Sequence, residues 1–362
     1  MDPRLERDEG ALPTPNKNPT PPRGTAGSGN DVAIASDTPL EIPVQASKNW
    51  WLVLAKLIFG SGLLIALMWR ADFGAIVDRL RSVNLNFLLL VFLLPHLMIM
   101  VSTWKWQIFL RELRVDLPFG RLFRVYLIGT FFNNFLPTMV GGDVVRVYTL
   151  GREAKAMSAV AAATVMERLI GFTALISLLP LALFSRTVTE RFPAIWYLIP
   201  VAAIGFAVTV WIALSSSWLR LGEPLRNIRY VGRIVRIHSR IHDSVRLAAR
   251  SVSALSITFA LSILFYLVAA ATIWVAALSL GAEVSFAYLL ATVPLLLLVS
   301  MLPISLNGLG ITEGGIAVLL VLAGVSLTDA VGVGLLLRGR LLFTALLGGF
   351  VFLRYRPSQG RE

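Results

Sequence analysis

The chain has 362 residues, 56% of them hydrophobic and 15% charged, with a mean hydropathy of +0.73, which excludes a water-soluble surface and points to an integral membrane protein. Cysteine is absent and only three histidines occur, His96, His238 and His242, so a disulfide framework, a thiolate metal site and a cysteine nucleophile are excluded. With no HExxH or CxxC spacing, neither a metal nor a cofactor is expected. The formal net charge of +12 sits between apolar segments, which argues against a nucleic-acid partner and for loops facing an anionic cytoplasmic leaflet.

Residues 1–47 are rich in Pro, Gly, Ser, Thr and Asn and carry no apolar periodicity, so they read as a disordered N-terminal tail. They are not a signal peptide, because no apolar stretch begins before Trp50. A bilayer core of about 30 Å needs roughly 20 apolar residues in a helix. The stretches 50–69, 87–104, 156–184, 195–214, 252–280 and 285–302 meet that test. Two further stretches, 122–140 and 303–327, are apolar but interrupted by proline and glycine, and 329–353 is long enough to span yet holds Arg338 and Arg340 near its middle. The expected fold is all-α, a polytopic transmembrane helix bundle with about seven to nine membrane-embedded segments across 48–355, followed by a tail at 356–362.

The stretch 217–250 is the most basic, with arginines at 226, 229, 233, 236 and 240 on one helical face. It reads as either an amphipathic helix on anionic headgroups or a solvated linker, and in both cases as cytoplasmic, together with the N-terminal tail. The loop at 281–284, which carries only Glu283, then lies on the opposite side, and the basic loop 105–124 returns to the cytoplasm. An even number of crossings is required over 125–216, and 156–184 and 195–214 already supply two. Residues 122–140 are therefore expected to enter and leave on one side, as a re-entrant hairpin or tilted half-helix.

The two interrupted stretches share a pattern. Leu136-Pro137 is followed by Gly141, Gly142 and Asp143, and Leu302-Pro303 by Asn307, Gly308, Gly310, Thr312 and Glu313. One lies in each half of the membrane region, the arrangement of an inverted repeat. Unwound backbone at membrane depth is tolerated only where it lines a cavity or is buried in protein. Proline removes a backbone donor and ends a helix, glycine permits tight turns, and a new helix is expected near Asp143 and near Thr312. Its free N–H groups suit an anion such as a lipid phosphate. Asp143 reads as an N-cap or as part of that site, and Arg146 as a phosphate clamp or an interfacial anchor.

Glu167, Arg168, Arg338 and Arg340 fall well inside apolar stretches. Each costs roughly 2.5–3.5 kcal/mol at the bilayer centre, so they must be paired, hydrated or bound to a ligand. An internal ion pair between Glu167 and an arginine is one solution. Three arginines against Glu167 and Glu313 nevertheless leave a positive charge over, which favours an anionic substrate.

These residues resemble the lysylphosphatidylglycerol synthase transmembrane, or flippase-like, family. The resemblance is carried by Asn134-Phe135-Leu136-Pro137 with Gly141-Gly142-Asp143-Val144-Val145-Arg146, by Glu167-Arg168 ahead of Gly171-Phe172, and by Leu302-Pro303 with Gly308-Leu309-Gly310-Ile311-Thr312-Glu313-Gly314. It extends over residues 50–355. It implies similarity to the membrane half of the multiple peptide resistance factor, which moves aminoacylated phosphatidylglycerol between leaflets, and to stand-alone members tied to hopanoid or glycolipid handling. Nine residues follow Leu353, so no counterpart of that factor's aminoacyl-transferase domain is expected. The resemblance implies lipid translocation in the cell inner membrane rather than catalysis, with an anionic phospholipid, hopanoid or glycolipid as partner; a homo-oligomeric assembly is left open. Competing readings are a lipid-linked glycosyl- or aminoacyl-transferase, for which no nucleophile or base with a donor site is visible, and a non-catalytic membrane scaffold.

Overall fold

The computed structural model describes residues 50–136, 141–214, 241–301 and 304–356. The expected disordered tail, the five-arginine face at 226–240, Pro137, Pro303 and residues 357–362 lie outside them. Regular structure among the described residues is entirely helical, as composition and periodicity indicate. In chain order come α1 (Trp50–Arg70), α2 (Phe73–Arg81), α3 (Leu85–Glu112), α4 (Phe119–Phe135), α5 (Gly141–Glu153) and α6 (Met157–Leu178). After α6 a 3-10 turn runs Leu179–Phe184, followed by α7 (Arg186–Arg191) and α8 (Ile195–Leu214). Beyond a short helical stretch at 241–248 come α9 (Val252–Ser279), α10 (Phe286–Ser300), a 3-10 turn at Leu306–Gly308, α11 (Ile311–Leu322) and α12 (Leu327–Arg354).

Local chemistry sets several of the helix starts. The side chains of Asp72, Asn84, Ser251 and Ser326 each accept a backbone N–H from the first turn of the helix they precede. Each satisfies a backbone donor that the first turn of a helix leaves without an intrahelical partner. Five helical stretches are long and apolar enough to cross a bilayer: Val53–Arg70, α3, Met157–Phe184, α9 and α12. The shorter apolar helices include Ile195–Val208 within α8.

The expected span at 285–302 is corrected. Helix α10 has 15 residues, about 22 Å at 1.5 Å per residue, and contains Pro294. It is too short for a 30 Å core. Instead it turns back into the 12-residue α11, and Tyr288 near the start of α10 donates to the Leu319 carbonyl near the end of α11 at 2.8 Å. Helices α4 and α5 form a matching antiparallel hairpin, with Arg121 at its start paired to Glu153 at its end. The expected basic loop at 105–124 is also corrected in part, since α3 continues to Glu112 and buries Lys105.

A tandem pattern follows from these lengths. Helix α3, the α4/α5 hairpin and Met157–Phe184 measure 28, 17, 13 and 28 residues, while α9, the α10/α11 hairpin and α12 measure 28, 15, 12 and 28. The two sets run in opposite directions. Asn84 at the start of α3 bonds the Ser279 carbonyl at the end of α9 at 3.0 Å, whereas Ser251 at the start of α9 bonds Glu112 at the end of α3 at 2.9 Å. Each set has its own apolar core, one around Trp106, Phe109 and Leu122, the other around Ile273, Leu289 and Leu320. The sets also interlock, because α4 packs on α12 while α10 packs on the end of α6.

Candidate functional site

The two hairpins bring their turns together. Asn307, in the turn before α11, donates its amide to the Asn134 side-chain oxygen at 2.6 Å, and Asn134 in turn donates to the Thr130 carbonyl at 2.9 Å. Asn307 has a φ of 46°, a left-handed conformation that asparagine tolerates better than most residues, and Gly308 and Gly310 beside it have φ of 68° and 76°. At the other turn Asn133 accepts the Gly142 N–H at 2.8 Å and so caps α5. Gly142 presses against the Gly129 carbonyl with no room for a Cβ, which draws α4 and α5 into backbone contact. The glycines of both motifs thus serve close packing: Gly310 meets the backbone of Gly60 on α1, and Gly308 meets the Thr312 hydroxyl.

The second helix of each hairpin carries an acid in its first turn, and each acid holds an arginine. Asp143 receives two bonds from Arg168, from Nε and Nη2, both at 2.9 Å. Glu313 accepts the Gly310 N–H at 2.7 Å and pairs with the Nε of Arg338. In both halves the arginine lies 25 residues beyond its acid. This shared interval is a second signature of the repeat, and it was readable in the sequence beside the Leu-Pro and glycine pattern.

Arg146 occupies a separate position. It is 1% exposed, with Nη2 bonding Asp143 at 3.0 Å and Glu167 at 3.1 Å. Its guanidinium lies 4.1 Å from the Tyr126 ring centre and 4.8 Å from that of Trp106. Tyr126 completes the group by donating to Glu167 at 3.0 Å, and Trp106 is fixed by Thr164 at 3.1 Å. The sequence reading of Arg146 as a phosphate clamp or an interfacial anchor is therefore replaced by a buried structural role. It is a planar cation clasped by two carboxylates and two aromatic faces, an environment that suits arginine better than lysine.

Between the halves lie two adjoining cavities of about 310 and 350 Å³. Lys105, Tyr126, Glu167 and Tyr266 line the first, Asn133, Asn307, Thr312, Glu313 and Arg338 the second, and Arg168 and Arg340 border both. A third cavity of about 540 Å³ lies between α5, α6 and α8; it is walled mostly by apolar side chains and reaches Asp143 and Arg168. Of the residues singled out from sequence, Asp143, Glu167, Arg168, Asn307, Thr312, Glu313, Arg338 and Arg340 face these spaces. Asn134 holds the turn contact, and Gly141, like Gly142, is buried at the start of α5. Tyr126 and Tyr266 were missed because each sits in an apolar run whose partners come from other helices, and Lys105 because it was read as the start of the basic loop 105–124.

The charges do not cancel. Lys105, Arg146, Arg168, Arg338 and Arg340 stand against Asp143, Glu167 and Glu313, five cations to three carboxylates. Lys105 is 4% exposed and donates to the Ser262 hydroxyl at 3.2 Å. The Nε of Arg340 is buried and has no hydrogen-bond partner. Among the described residues no three His, Asp or Glu side chains gather in a way that would hold a metal ion.

An all-helical membrane protein with charged side chains set between two opposed hairpins is the class this geometry defines. The chain belongs to the family described as the lysylphosphatidylglycerol synthase TM region, whose pattern it matches over residues 53–349. It is 24% identical to the UPF0104 membrane protein PH1989 of Pyrococcus horikoshii, over 83% of this chain and 96% of that one. It is 23% identical to a UPF0104 membrane protein of Methanothermobacter thermautotrophicus, over 75% of this chain and 85% of the relative. No solved structure matches.

Proposed function

We propose that this protein translocates an anionic lipid between leaflets, without chemistry, by receiving the headgroup in the paired cavities between the hairpin turns. The observation that carries the reading is the pair of unbalanced cations, Lys105 and Arg340, facing a cavity at the junction of two oppositely directed half-domains. Such charge is unfavourable at membrane depth unless a mobile anion meets it, and broken helices at a repeat interface are where transporters place their substrates.

In this reading both hairpins are re-entrant and enter from opposite faces. The end of the molecule formed by Glu112, Glu153, Ser251 and Tyr355 carries Arg111, Arg114, Arg121, Arg124, Arg152, Lys155, Arg250 and Arg354, an excess of positive charge that supports a cytoplasmic position for it. The test is leaflet exchange of a fluorescent anionic phospholipid in vesicles reconstituted with purified protein. Exchange faster than in protein-free vesicles, and reduced in Arg168→Gln and Arg340→Gln, is expected; exchange at the protein-free rate would remove transport as the function.

A further inference from the structure

The surplus of positive charge has a size, and the size selects a headgroup. Five cations against three carboxylates leave two charges to be met. A phosphodiester supplies one negative charge, whereas a phosphate monoester carries about 1.5 to 2 at pH 7. Donors are available in the right place. Lys105 uses one of its three N–H groups on Ser262, Arg340 has its Nε unpartnered, and the Arg168 side chain is 40% exposed, with two of its three nitrogens held by Asp143.

The second observation concerns what adjoins that cluster. Arg168 and Phe172 form a shared wall between the charged cavity and the 540 Å³ apolar one. Val144, Val147, Val165 and Phe206 line the apolar side, and Val144 and Val165 are exposed on the outer surface, where the bilayer would lie. A charged cavity and an apolar groove that meet at one arginine match a ligand with a compact anionic end and a hydrocarbon end.

We propose that the ligand is a lipid phosphate monoester. Its phosphate is held by Lys105, Arg168 and Arg340, and its hydrocarbon chain passes Arg168 into the groove between α5, α6 and α8. The assignment rests on the lipid-handling reading above and narrows it to one headgroup class and one path for the chain.

The test uses the full chain in phosphatidylcholine nanodiscs, with phosphatidic acid as the monoester and phosphatidylglycerol of the same acyl chains as the diester, and bound lipid measured by native mass spectrometry. Phosphatidic acid is expected to bind about tenfold more tightly at about pH 7.5 and to lose most of that preference at about pH 5, where the monoester has taken up one proton and carries a single negative charge like the diester. Arg340→Gln is expected to erase the preference, and Val165→Trp, which fills the groove, to weaken both lipids. The wild-type comparison needs no variant to fold. Equal binding of the two lipids, or displacement of phosphatidic acid by an equal concentration of inorganic phosphate, would overturn the assignment. Equal binding together with continued leaflet exchange of phosphatidylglycerol would leave transport standing and remove only the headgroup; selective binding with no exchange of either lipid would keep the site and remove transport.

Discussion

Asn307 and Asn134, 173 residues apart in the chain, join the turns of the two hairpins through a single 2.6 Å side-chain hydrogen bond. Because each lies at the end of a half-domain with its own core, this bond ties the two halves together at the cavity. Asn134→Ala and Asn307→Gly, the latter keeping the left-handed backbone, are each expected to lower stability, with a coupling of about 0.5–1.5 kcal/mol between them. Thermal unfolding of the single and double variants in detergent measures it; strict additivity would show that the turns are not linked through this pair.

Removing Arg146 deletes the one ion pair of Glu167 among the described residues and leaves the Tyr126 hydroxyl as its hydrogen-bond partner. Arg146→Ala is expected to cost about 3–5 kcal/mol, the range for breaking a buried pair by deleting one partner. Adding Glu167→Gln to that variant removes the orphaned charge and is expected to restore a large part of the loss. Arg146→Lys is expected to fall between the wild type and Arg146→Ala, since it keeps the charge and loses the fork and the aromatic stacking. Expression yield and unfolding midpoint in detergent check the order.

Glycine contacts make a sharper comparison. A Cβ at Gly142 would overlap the Gly129 carbonyl, whereas one at Gly62 meets nothing within 4 Å. Gly142→Ala is expected to destabilise by about 1–3 kcal/mol through overpacking, and Gly62→Ala to be neutral. Equal unfolding midpoints for the two variants would contradict the packing of α4 on α5.

The chain has no cysteine, so single-cysteine variants report sidedness without background. Arg114→Cys and Arg250→Cys, at the end where Glu112 meets Ser251, are expected to react with a membrane-impermeant thiol reagent only in inside-out vesicles, and Glu283→Cys only in right-side-out ones. Labelling of all three from one side would refute the proposed topology.

Much of the architecture was legible in residue patterns, because hydrocarbon forces backbone groups to pair within helices and leaves proline and glycine as visible punctuation. Pro137 with Gly141-Gly142 and Pro303 with Gly308 marked two interruptions, and helices do begin at Gly141 and Ile311 beyond them. Hydropathy alone misjudged 285–302, since an apolar run looks the same whether it crosses the bilayer or turns back at Met301. Lys105 was assigned to a loop because the basic residues that follow it resemble one. Its burial depends on Ser262, 157 residues away. The fate of Arg146 was equally hidden, since the rings of Trp106 and Tyr126 reach it from two other helices. The charge excess itself was readable, because counting arginines against acids needs no coordinates, and among the described residues Arg340 is the cavity arginine without an ion pair.

Helix α1 stands outside the tandem arrangement, and Gly60 is the one buried residue in its stretch Val53–Arg70. A Cβ on that glycine would meet the Leu309 carbonyl, and the Gly60 carbonyl in turn leaves no space for a Cβ on Gly310. Among the five long apolar helices α1 has the smallest buried share, and it is held both by Gly60 on the turn before α11 and by Leu67 against Gly314 of α11. A change of bilayer thickness, which tilts a sparsely buried helix, would therefore press on both the second turn and the start of α11.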